Sequence, residues 1–276
     1  MSAVISQLIS YPIKSCAGVS HQTTQLDRLG LQADRQLMLV DKNGLFLSQR
    51  KHPRMALIQP KLTPQSLTVN APGMHQLTVN LQEPSKQALQ VTVWQDSLPA
   101  DAMQQPVNQW FSEFLDVPVR LVKYKQQSQR RIDPEFAKLG ETVAFADGFP
   151  LLVTHEASLE QLNQHLEHTI EMNRFRPNIV LKSKCNAWDE LQWKSLSGQG
   201  FRLDLVKPCS RCVITGVEQS TGIQTGTEVL MMLKNKFAHQ NQAVFGINGT
   251  INLTGYQTIE LAVGQNLAIQ HQASAN

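Results

Sequence analysis

Two apolar runs separated by a turn make up the stretch Leu37-Met-Leu-Val-Asp-Lys-Asn-Gly-Leu-Phe-Leu-Ser48. The Asn-Gly pair between them predicts a β-hairpin, because the primed turns of tight hairpins need residues that accept positive φ. A second hairpin is predicted where Leu67-Thr-Val-Asn70 recurs as Leu77-Thr-Val-Asn80 around a Pro-Gly turn. The alternating run Gln90-Val-Thr-Val-Trp94 predicts a further short strand. Short strands joined by such turns favour a barrel or a packed pair of sheets.

The rest of the chain mixes helical and strand patterns. Apolar residues from Val107 to Leu115 recur at helical spacing and form one continuous stripe, which predicts a helix that ends before Pro118. Further helices are predicted over about 155–168, with Thr154 or Ser158 as its cap, and over about 227–237. Strands are predicted over 144–153, 179–181, 201–206 and 212–215, and as a pair around Gly264 within 251–269.

These elements together predict an α+β fold that is β-rich, with two β-barrel-like halves and a few helices. The segment 123–140 is polar and basic and has no clear apolar period, so we place the connection between the halves there. The predicted domains are therefore residues 1–122 and 123–276. We interpret the basic cluster in this segment as a solvated connector; it consists of Lys123, Lys125, Arg130 and Arg131.

The composition of the 276 residues excludes several classes of protein. An apolar fraction of 41% is too high for a disordered chain. The net charge of +3 is too small a surplus to indicate nucleic-acid binding. No apolar run reaches the length of a membrane span, and no basic and apolar leader follows Met1, so we expect a cytoplasmic protein. Four sparse cysteines agree with a reducing setting and free thiols.

The strongest local chemical feature is the segment Lys207-Pro-Cys-Ser-Arg-Cys-Val-Ile-Thr215. Cys212 follows Arg211, and nearby cations favour the thiolate, which is both a nucleophile and a soft-metal ligand. An ordinary buried cysteine that opens a strand explains the same residues equally well. Cys209 and Cys212 form a C-x-x-C pair, but the chain lacks the second pair that structural zinc sites commonly use. A thioredoxin-type site would follow a strand, whereas this pair precedes a predicted one.

Polar clusters also interrupt apolar sequence at three predicted strand ends. Lys14 and Ser15 follow one strand-like run, Arg35 opens another, and Arg176 and Asn178 precede a third. Arginines beside buried strands must be hydrogen-bonded or exposed, so each of these residues alone is explained by a structural or surface role. Together, the cations, the serine and the asparagine suit an anionic, phosphate-bearing ligand.

Six segments, in a fixed order along the chain, carry a resemblance to a known family: Tyr11-Pro-Ile-Lys-Ser-Cys16, Leu29-Gly-Leu with Asp34-Arg35, Phe145-Ala-Asp-Gly-Phe-Pro150 with His155-Glu-Ala-Ser-Leu159, Asn173-Arg-Phe-Arg-Pro-Asn178, Trp188-Asp-Glu-Leu191, and Cys209-Ser-Arg-Cys-Val-Ile-Thr215 with Thr221-Gly222. The chain resembles the MOSC family, named for the C-terminal domain of molybdenum-cofactor sulfurases. It is most similar to the branch with an added N-terminal β-barrel domain, which includes the amidoxime-reducing component and its bacterial relatives.

The resemblance implies a molybdenum–pterin cofactor (molybdopterin) held between two β-rich domains. The cysteine ligand of the metal corresponds to Cys212, and the acidic active-site residue near the metal corresponds to Asp147. Both are therefore expected to be catalytic. The residues that the resemblance assigns to cofactor binding are Lys14, Ser15, Arg35, Arg176, Asn178, Ser210 and Arg211.

The implied activity is that of a molybdenum-cofactor oxidoreductase that removes oxygen from small N-hydroxylated substrates, with Asp147 as a proton relay. The chain has no G-x-G-x-x-G motif after a strand, and too few cysteines for an additional ferredoxin-type cluster. We therefore expect a separate electron-donor protein of the ferredoxin or flavoprotein type, and no nucleic-acid or membrane partner. The alternative is a carrier of the molybdenum cofactor, or a sulfur-transfer protein, without turnover of its own.

Overall fold

The computed structural model describes residues 1–63, 66–81, 87–138, 140–255 and 257–272. The α-helices within these ranges are α1 (Gln105–Leu115), α2 (Glu156–Asn163) and α3 (Glu228–Asn235). The strands are β1 (Ser2–Ser10), β2 (Val19–His21), β3 (Thr23–Asp27), β4 (Gly30–Leu31), β5 (Leu37–Val40), β6 (Gln59–Leu62), β7 (Ser66–Asn70), β8 (Leu77–Asn80), β9 (Ala88–Val93), β10 (Asp96–Ala102), β11 (Arg120–Tyr124), β12 (Leu151–His155), β13 (Ile179–Ser183), β14 (Trp193–Gly198), β15 (Phe201–Ser210), β16 (Val217–Glu218), β17 (Ile223–Gln224), β18 (Val244–Leu253), β19 (Ile259–Ala262) and β20 (Asn266–His271).

The largest sheet is a closed barrel of seven strands in the order β13-β12-β18-β15-β14-β20-β1, with β2 added beside β1. It closes because β1 pairs antiparallel with β20 on one side and with β13 on the other. Closure leaves no edge strand in the ring, so every strand has a hydrogen-bonded neighbour on both sides. Alternate residues point into the barrel, where Ile5, Leu181 and Leu203 are fully buried.

The other half of the fold is a curled, open arrangement of two smaller sheets. One has the order β5-β11-β10-β9, and the other the order β6-β7-β8. Helix α1 covers their shared core with Trp110, Phe111 and Phe114, which belong to the apolar stripe expected from the sequence. The predicted hairpin of β7 and β8 is confirmed, with Leu67 opposite Val79. The prediction of a β-rich fold with two barrel-like halves and a few helices is therefore confirmed.

The first strand of the chain lies in the sheet formed mostly by its last third. From β1 the chain passes directly to the other half, where the Lys14 N–H donates to the Leu37 carbonyl at 2.8 Å. Strand β3 likewise pairs with β19, near the end of the chain. The two halves therefore exchange segments, and the division into residues 1–122 and 123–276 stays a prediction.

The turn after β5 differs from the primed two-residue turn that the Asn-Gly pair predicted. Val40 bridges to Phe46, so the loop between them is longer, and of the two turn residues only Gly44 has a positive φ, of 80°. The Asp41 carboxylate accepts the N–H groups of Asn43 and Leu45 at 2.8 and 2.9 Å. This Asx-type bonding stabilises the wider loop, a competing turn chemistry that the dipeptide alone does not reveal.

Helix α2 is shorter than predicted, because it ends at Asn163 rather than near residue 168. Neither Thr154 nor Ser158 caps it, since His155 is the N-cap residue and makes no side-chain cap. Ser158 instead donates its hydroxyl to the buried carboxylate of Glu190 at 2.8 Å. Helix α3 and the strands around Gly264 lie close to their predicted positions. Among the described residues, no helix is long and apolar enough to cross a bilayer.

Glu190 makes the stability of the fold depend on pH. Burial raises the pKa of its carboxyl from 4.5 to about 7, so the folded chain holds a proton that the unfolded chain releases at lower pH. The contribution of Glu190 is therefore favourable below pH 4.5 and is lost as pH rises through about 7. We expect the unfolding free energy of Glu190→Gln to rise relative to that of wild type as the pH increases from 4.5 to 8, and the gain to reach about 3 kcal/mol at the upper end.

Denaturant unfolding across that pH range measures this difference. The exposed Glu260→Gln variant on β19 changes the formal charge equally and serves as the control. Parallel pH profiles for Glu190→Gln and wild type would contradict the assignment.

Candidate functional site

A cavity of about 110 Å³ lies where the closed barrel meets the open sheets. Its wall brings together residues from distant parts of the chain, and the most distant of its cations, Lys14 and Arg211, are 197 positions apart in sequence. We call it the anion cavity. Seven of the nine predicted site residues line it: Lys14, Ser15, Arg35, Asp147, Arg176, Asn178 and Arg211.

Three residues of the cavity wall have a left-handed backbone. Their φ values are 67° at Ser15, 46° at Arg35 and 56° at Arg176. For residues other than glycine this conformation costs on the order of 1 kcal/mol each, and it persists only where surrounding structure imposes it. Such strain commonly marks functional sites, and here it occurs at three positions that face one cavity.

Arg176 is the clearest unpaired cation of the cavity. It follows the 3₁₀ turn Met172–Phe175, whose Phe175 stacks on Phe245 with 3.6 Å between ring centroids. Its guanidinium lies 4.2 Å from the ring centre of Tyr11, and Nη1 and Nη2 are buried without a hydrogen-bond partner among the described residues. Burial lowers its pKa to about 10, so it remains charged at neutral pH. A buried cation with free donors is costly unless an anion joins it.

Arg35 is held in place by protein groups. Its Nη1 donates to Asp34 Oδ2 at 2.7 Å and to Asn178 Oδ1 at 3.1 Å, and its Nη2 donates to the Arg176 carbonyl at 3.2 Å. Asn178 also accepts the Leu152 N–H and donates to the Ile9 carbonyl. Asn178 thus lines the cavity, but its amide is occupied with positioning Arg35 and two strand ends.

Lys14 and Asp147 form an ion pair at the cavity wall, with Nζ and Oδ1 2.5 Å apart. Lys14 is buried, with 6% of its side chain exposed, and it also donates to the Phe145 carbonyl at 2.8 Å. Burial lowers the pKa of Lys14, against the opposing effect of Asp147. Desolvation opposes ionisation of Asp147, but Lys14 and the Trp94 N–H together hold the pKa of that carboxyl well below its usual range.

The loop that carries Asp147 is held by Arg130, which the sequence analysis placed in a solvated connector. That interpretation is wrong for Arg130, whose side chain is 4% exposed. Its guanidinium donates to the carbonyls of Ala144, Ala146 and Asp147 and pairs with Asp96 at 2.6 Å. These carbonyls are therefore unavailable to a strand, and the predicted strand 144–153 begins only at β12. Nothing in the local basic composition distinguishes Arg130 from its exposed neighbour Arg131.

The segment after β15 also differs from its prediction. The predicted strand 212–215 is a 3₁₀ turn, Val213–Gly216, and Cys212 is its N-cap residue with its carbonyl accepting the Thr215 N–H. A side chain at Gly216 would come within 2.0 Å of the Gly226 carbonyl oxygen, so only glycine allows this close packing. Arg174, buried and paired with Glu218, donates to the Thr215 carbonyl and supports the turn.

The two cysteines take different places around the cavity. Cys209 lies in the cavity wall, and Arg211 Nη1 lies 3.0 Å from its sulfur. Cys212 is half-buried at the start of the turn and is not part of the wall itself. Ser210 is exposed and donates to Gln242 Oε1 at 2.5 Å, away from the cavity. All four cysteines of the chain are free.

The chemistry of this arrangement is that of an anion site. Besides Arg176, the Nε of Arg211 is buried without a partner among the described residues, while its Nη2 donates to the Phe175 carbonyl. Guanidinium groups with free N–H donors bind phosphate oxygens in a bidentate manner. A phosphate-bearing ligand would satisfy donors that protein atoms leave open. The half-buried thiols of Cys209 and Cys212 lie two residues before and one residue after Arg211.

The fold and the site together define a two-part β-barrel protein with a cavity lined by four cations between its parts. The chain belongs to the MOSC family: the MOSC N-terminal beta barrel domain matches residues 2–118, and the MOSC domain matches residues 140–268.

Curated relatives cover most of the chain. The mitochondrial amidoxime-reducing component 1 of Xenopus laevis is 30% identical over 271 residues, which is 91% of this chain and 79% of the relative. The mitochondrial amidoxime reducing component 2 of Bos taurus is 30% identical over 268 residues, or 91% and 80%. The molybdenum cofactor sulfurase of Bos taurus is 30% identical over 270 residues, which is 89% of this chain but 30% of the sulfurase.

Free phosphate tests the open donors of the cavity directly. We expect inorganic phosphate to stabilise the cofactor-free protein by about 1 kcal/mol at five times its dissociation constant, which raises the melting temperature by a few degrees. Arg176→Met should lose most of this effect, because it removes the unpaired guanidinium. Thermal denaturation in phosphate and in chloride at equal ionic strength measures it. Arg202→Met, a surface arginine outside the cavity, is the control and should respond as wild type does.

Proposed function

We propose that this protein is a molybdenum-cofactor oxidoreductase that reduces small N-hydroxylated compounds by removing oxygen. The observation that carries the proposal is the set of buried, unpaired guanidinium donors of Arg176 and Arg211 in the anion cavity. Membership of the MOSC family and the likeness to amidoxime-reducing components support a molybdenum–pterin cofactor as the anionic group and support this reaction class.

The residues present fit a phosphate-bearing pterin cofactor. Arg176 and Arg211, which both have donors without a protein partner among the described residues, would face its phosphate, and the neighbouring Arg35 would add a third cation. Lys14, the remaining cation of the cavity wall, is paired with Asp147. Cys212 would supply a thiolate, a soft ligand, to the metal. When bound, the cofactor supplies the two-electron reduction that turns an N–OH group into N–H and water.

The Lys14–Asp147 pair would handle the protons of this reaction. The reduction consumes two protons as well as two electrons, and Lys14 holds a proton on Nζ at a buried position where its pKa is lowered. Asp147 is ionised and 76% exposed, so it can pass protons from solvent to Lys14 rather than store one. The pair would therefore act as a relay from solvent to the cavity, which adds Lys14 to the expected proton relay of Asp147.

The thiol ligand is tested by comparing the two neighbouring cysteines. We expect Cys212→Ser to lose molybdenum while retaining its fold, because the thiolate is a ligand and the side chain is only half-buried. Cys209→Ser is the matched control and should keep most of the metal, although it lies in the cavity wall. Metal and pterin analysis of proteins purified from a cofactor-competent host, with circular dichroism for the fold, measures both.

The outcomes separate the competing assignments. Near-stoichiometric molybdenum in Cys212→Ser would overturn the ligand assignment, and loss only in Cys209→Ser would transfer it to that residue. Protein that contains molybdenum and pterin yet reduces no N-hydroxylated compound with any reductant would favour the alternative of a cofactor carrier.

Electrons are expected from a separate protein of the ferredoxin or flavoprotein type. The chain has four cysteines in total, and one is assigned to molybdenum, so a four-cysteine cluster has too few ligands. We expect the loaded protein to show no reduction with NADH or NADPH alone, and to be active with a reduced dye or with an added reductase and carrier. Substrate loss and product formation measure the activity. Sustained NADPH-driven turnover by the lone chain would contradict the expectation.

A further inference from the structure

An exposed indole stands beside the anion cavity, and its ring, unlike its N–H group, has no part in the roles above. Trp94 is 40% exposed and lies at the tip of the hairpin between β9 and β10, where Val93 pairs with Asp96. The hairpin belongs to the open sheets, whereas Asp147 lies on the loop before β12. The Trp94 Nε1–H donates to Asp147 Oδ1 at 3.0 Å, so the indole spans from one half of the fold to the ion pair of the other.

The backbone at Trp94 is a costly place for a bulky residue. Its φ is 57°, a left-handed conformation that tight turns normally give to glycine, asparagine or aspartate. The contact with Asp147 and an edge-to-face contact with Phe46, at 4.9 Å between centroids, hold the ring in place. Glycine or asparagine would make the same turn with less strain. The strain at this position therefore indicates a role for the indole side chain rather than for the turn.

Arg50 lies over the ring of the indole. Its guanidinium carbon lies 4.3 Å from the centre of the Trp94 ring, and the residue is exposed. Among the described residues it makes no hydrogen bond and no ion pair. A cation held only by an aromatic face at an exposed site is weakly bound, so a planar ligand can displace it or slide beneath it.

We propose that Trp94 and Arg50 form a stacking subsite that selects substrates whose N-hydroxylated group is conjugated to a planar ring. The proposal rests on the proposed function, since it places the N–OH group next to Lys14 and Asp147. An amidoxime attached to a benzene ring carries a planar ring that can stack on the indole while the N–OH group reaches the cavity. A saturated ring of similar size cannot stack in this way.

Two pairs of compounds isolate planarity from size and charge. The first pair is the amidoxime of a benzene ring and the amidoxime of a cyclohexane ring, compared as substrates of the molybdenum-loaded protein with a reduced dye as donor. The second pair is the corresponding amidines, benzamidine and cyclohexanecarboxamidine, which lack the reducible N–OH. Their binding to the same protein by calorimetry gives a readout that is independent of turnover.

The variants separate the ring from its N–H group. We expect wild type to prefer the planar member of each pair by about 2- to 10-fold, in kcat/KM for the amidoximes and in affinity for the amidines. Trp94→Leu removes the ring and should abolish the preference, whereas Trp94→Phe keeps a stacking face and should retain most of it. Gln95→Ala changes the exposed neighbour at the same hairpin tip and should behave as wild type. The substitutions of Trp94 remove the hydrogen bond to Asp147 and can lower activity toward both compounds of a pair. The ratio of the values for the planar and the saturated compound cancels such a general loss.

Each contrary result has its own meaning. A wild-type preference that survives in Trp94→Leu would overturn the subsite, even if turnover is normal. A fall in molybdenum content of Trp94→Leu, with Gln95→Ala unaffected, would also overturn it by making the indole a cofactor contact. If wild type reduces neither amidoxime, the proposed function fails, while the amidine preference and its loss in Trp94→Leu still decide whether the stacking surface exists.

Discussion

The pairing of β1 with both β13 and β20 is the constraint from which the rest of the arrangement follows. It closes the barrel with the first nine residues after Met1, so the chain leaves the barrel at Ser10 in a defined direction. Tyr11 to Ser15 then cross to the open sheets, and the Lys14 N–H bonds to Leu37 there. The cavity lies at this crossing, where Lys14 and Ser15 form part of its wall.

Within the cavity, cations that would repel each other are kept together by a neutral aromatic ring and by a buried carboxylate. The centre of the Tyr11 ring lies 4.5 Å from the guanidinium carbon of Arg35 and 4.2 Å from that of Arg176, so one aromatic ring stabilises two cations. Asp34, with 1% of its side chain exposed, neutralises Arg35 and accepts the Tyr11 N–H at 2.7 Å. Arg176 has no such carboxylate, and this imbalance leaves a net positive cavity ready for an anion.

The loops that carry Asp147 and Cys212 are held by hydrogen bonds from buried arginines to backbone carbonyl groups. Arg130 gathers three carbonyls of the Asp147 loop, and the Phe145 N–H bonds to the Arg35 carbonyl at 2.9 Å. Arg174 similarly supports the turn after Cys212. These buried arginines are not part of the cavity wall, yet removing either would release a loop that carries a predicted catalytic residue. The net charge of +3 does not reveal which arginines are buried or which of them position a loop.

The sequence by itself determined the β-rich class, helices α1 and α3, the β7–β8 hairpin and the residue types of an anion site, because these depend on local periodicity, turn residues and short motifs. It did not determine that Arg130 is buried while Arg131 is exposed, that residues 213–216 turn instead of extending, or that Cys209 rather than Cys212 lies in the wall. It also did not single out Trp94, whose position at the cavity arises from a hydrogen bond between residues 53 positions apart. Only the tertiary structure decided these, because burial and hydrogen-bond partners at such separations are set when the barrel closes and not by the neighbouring residues in the chain.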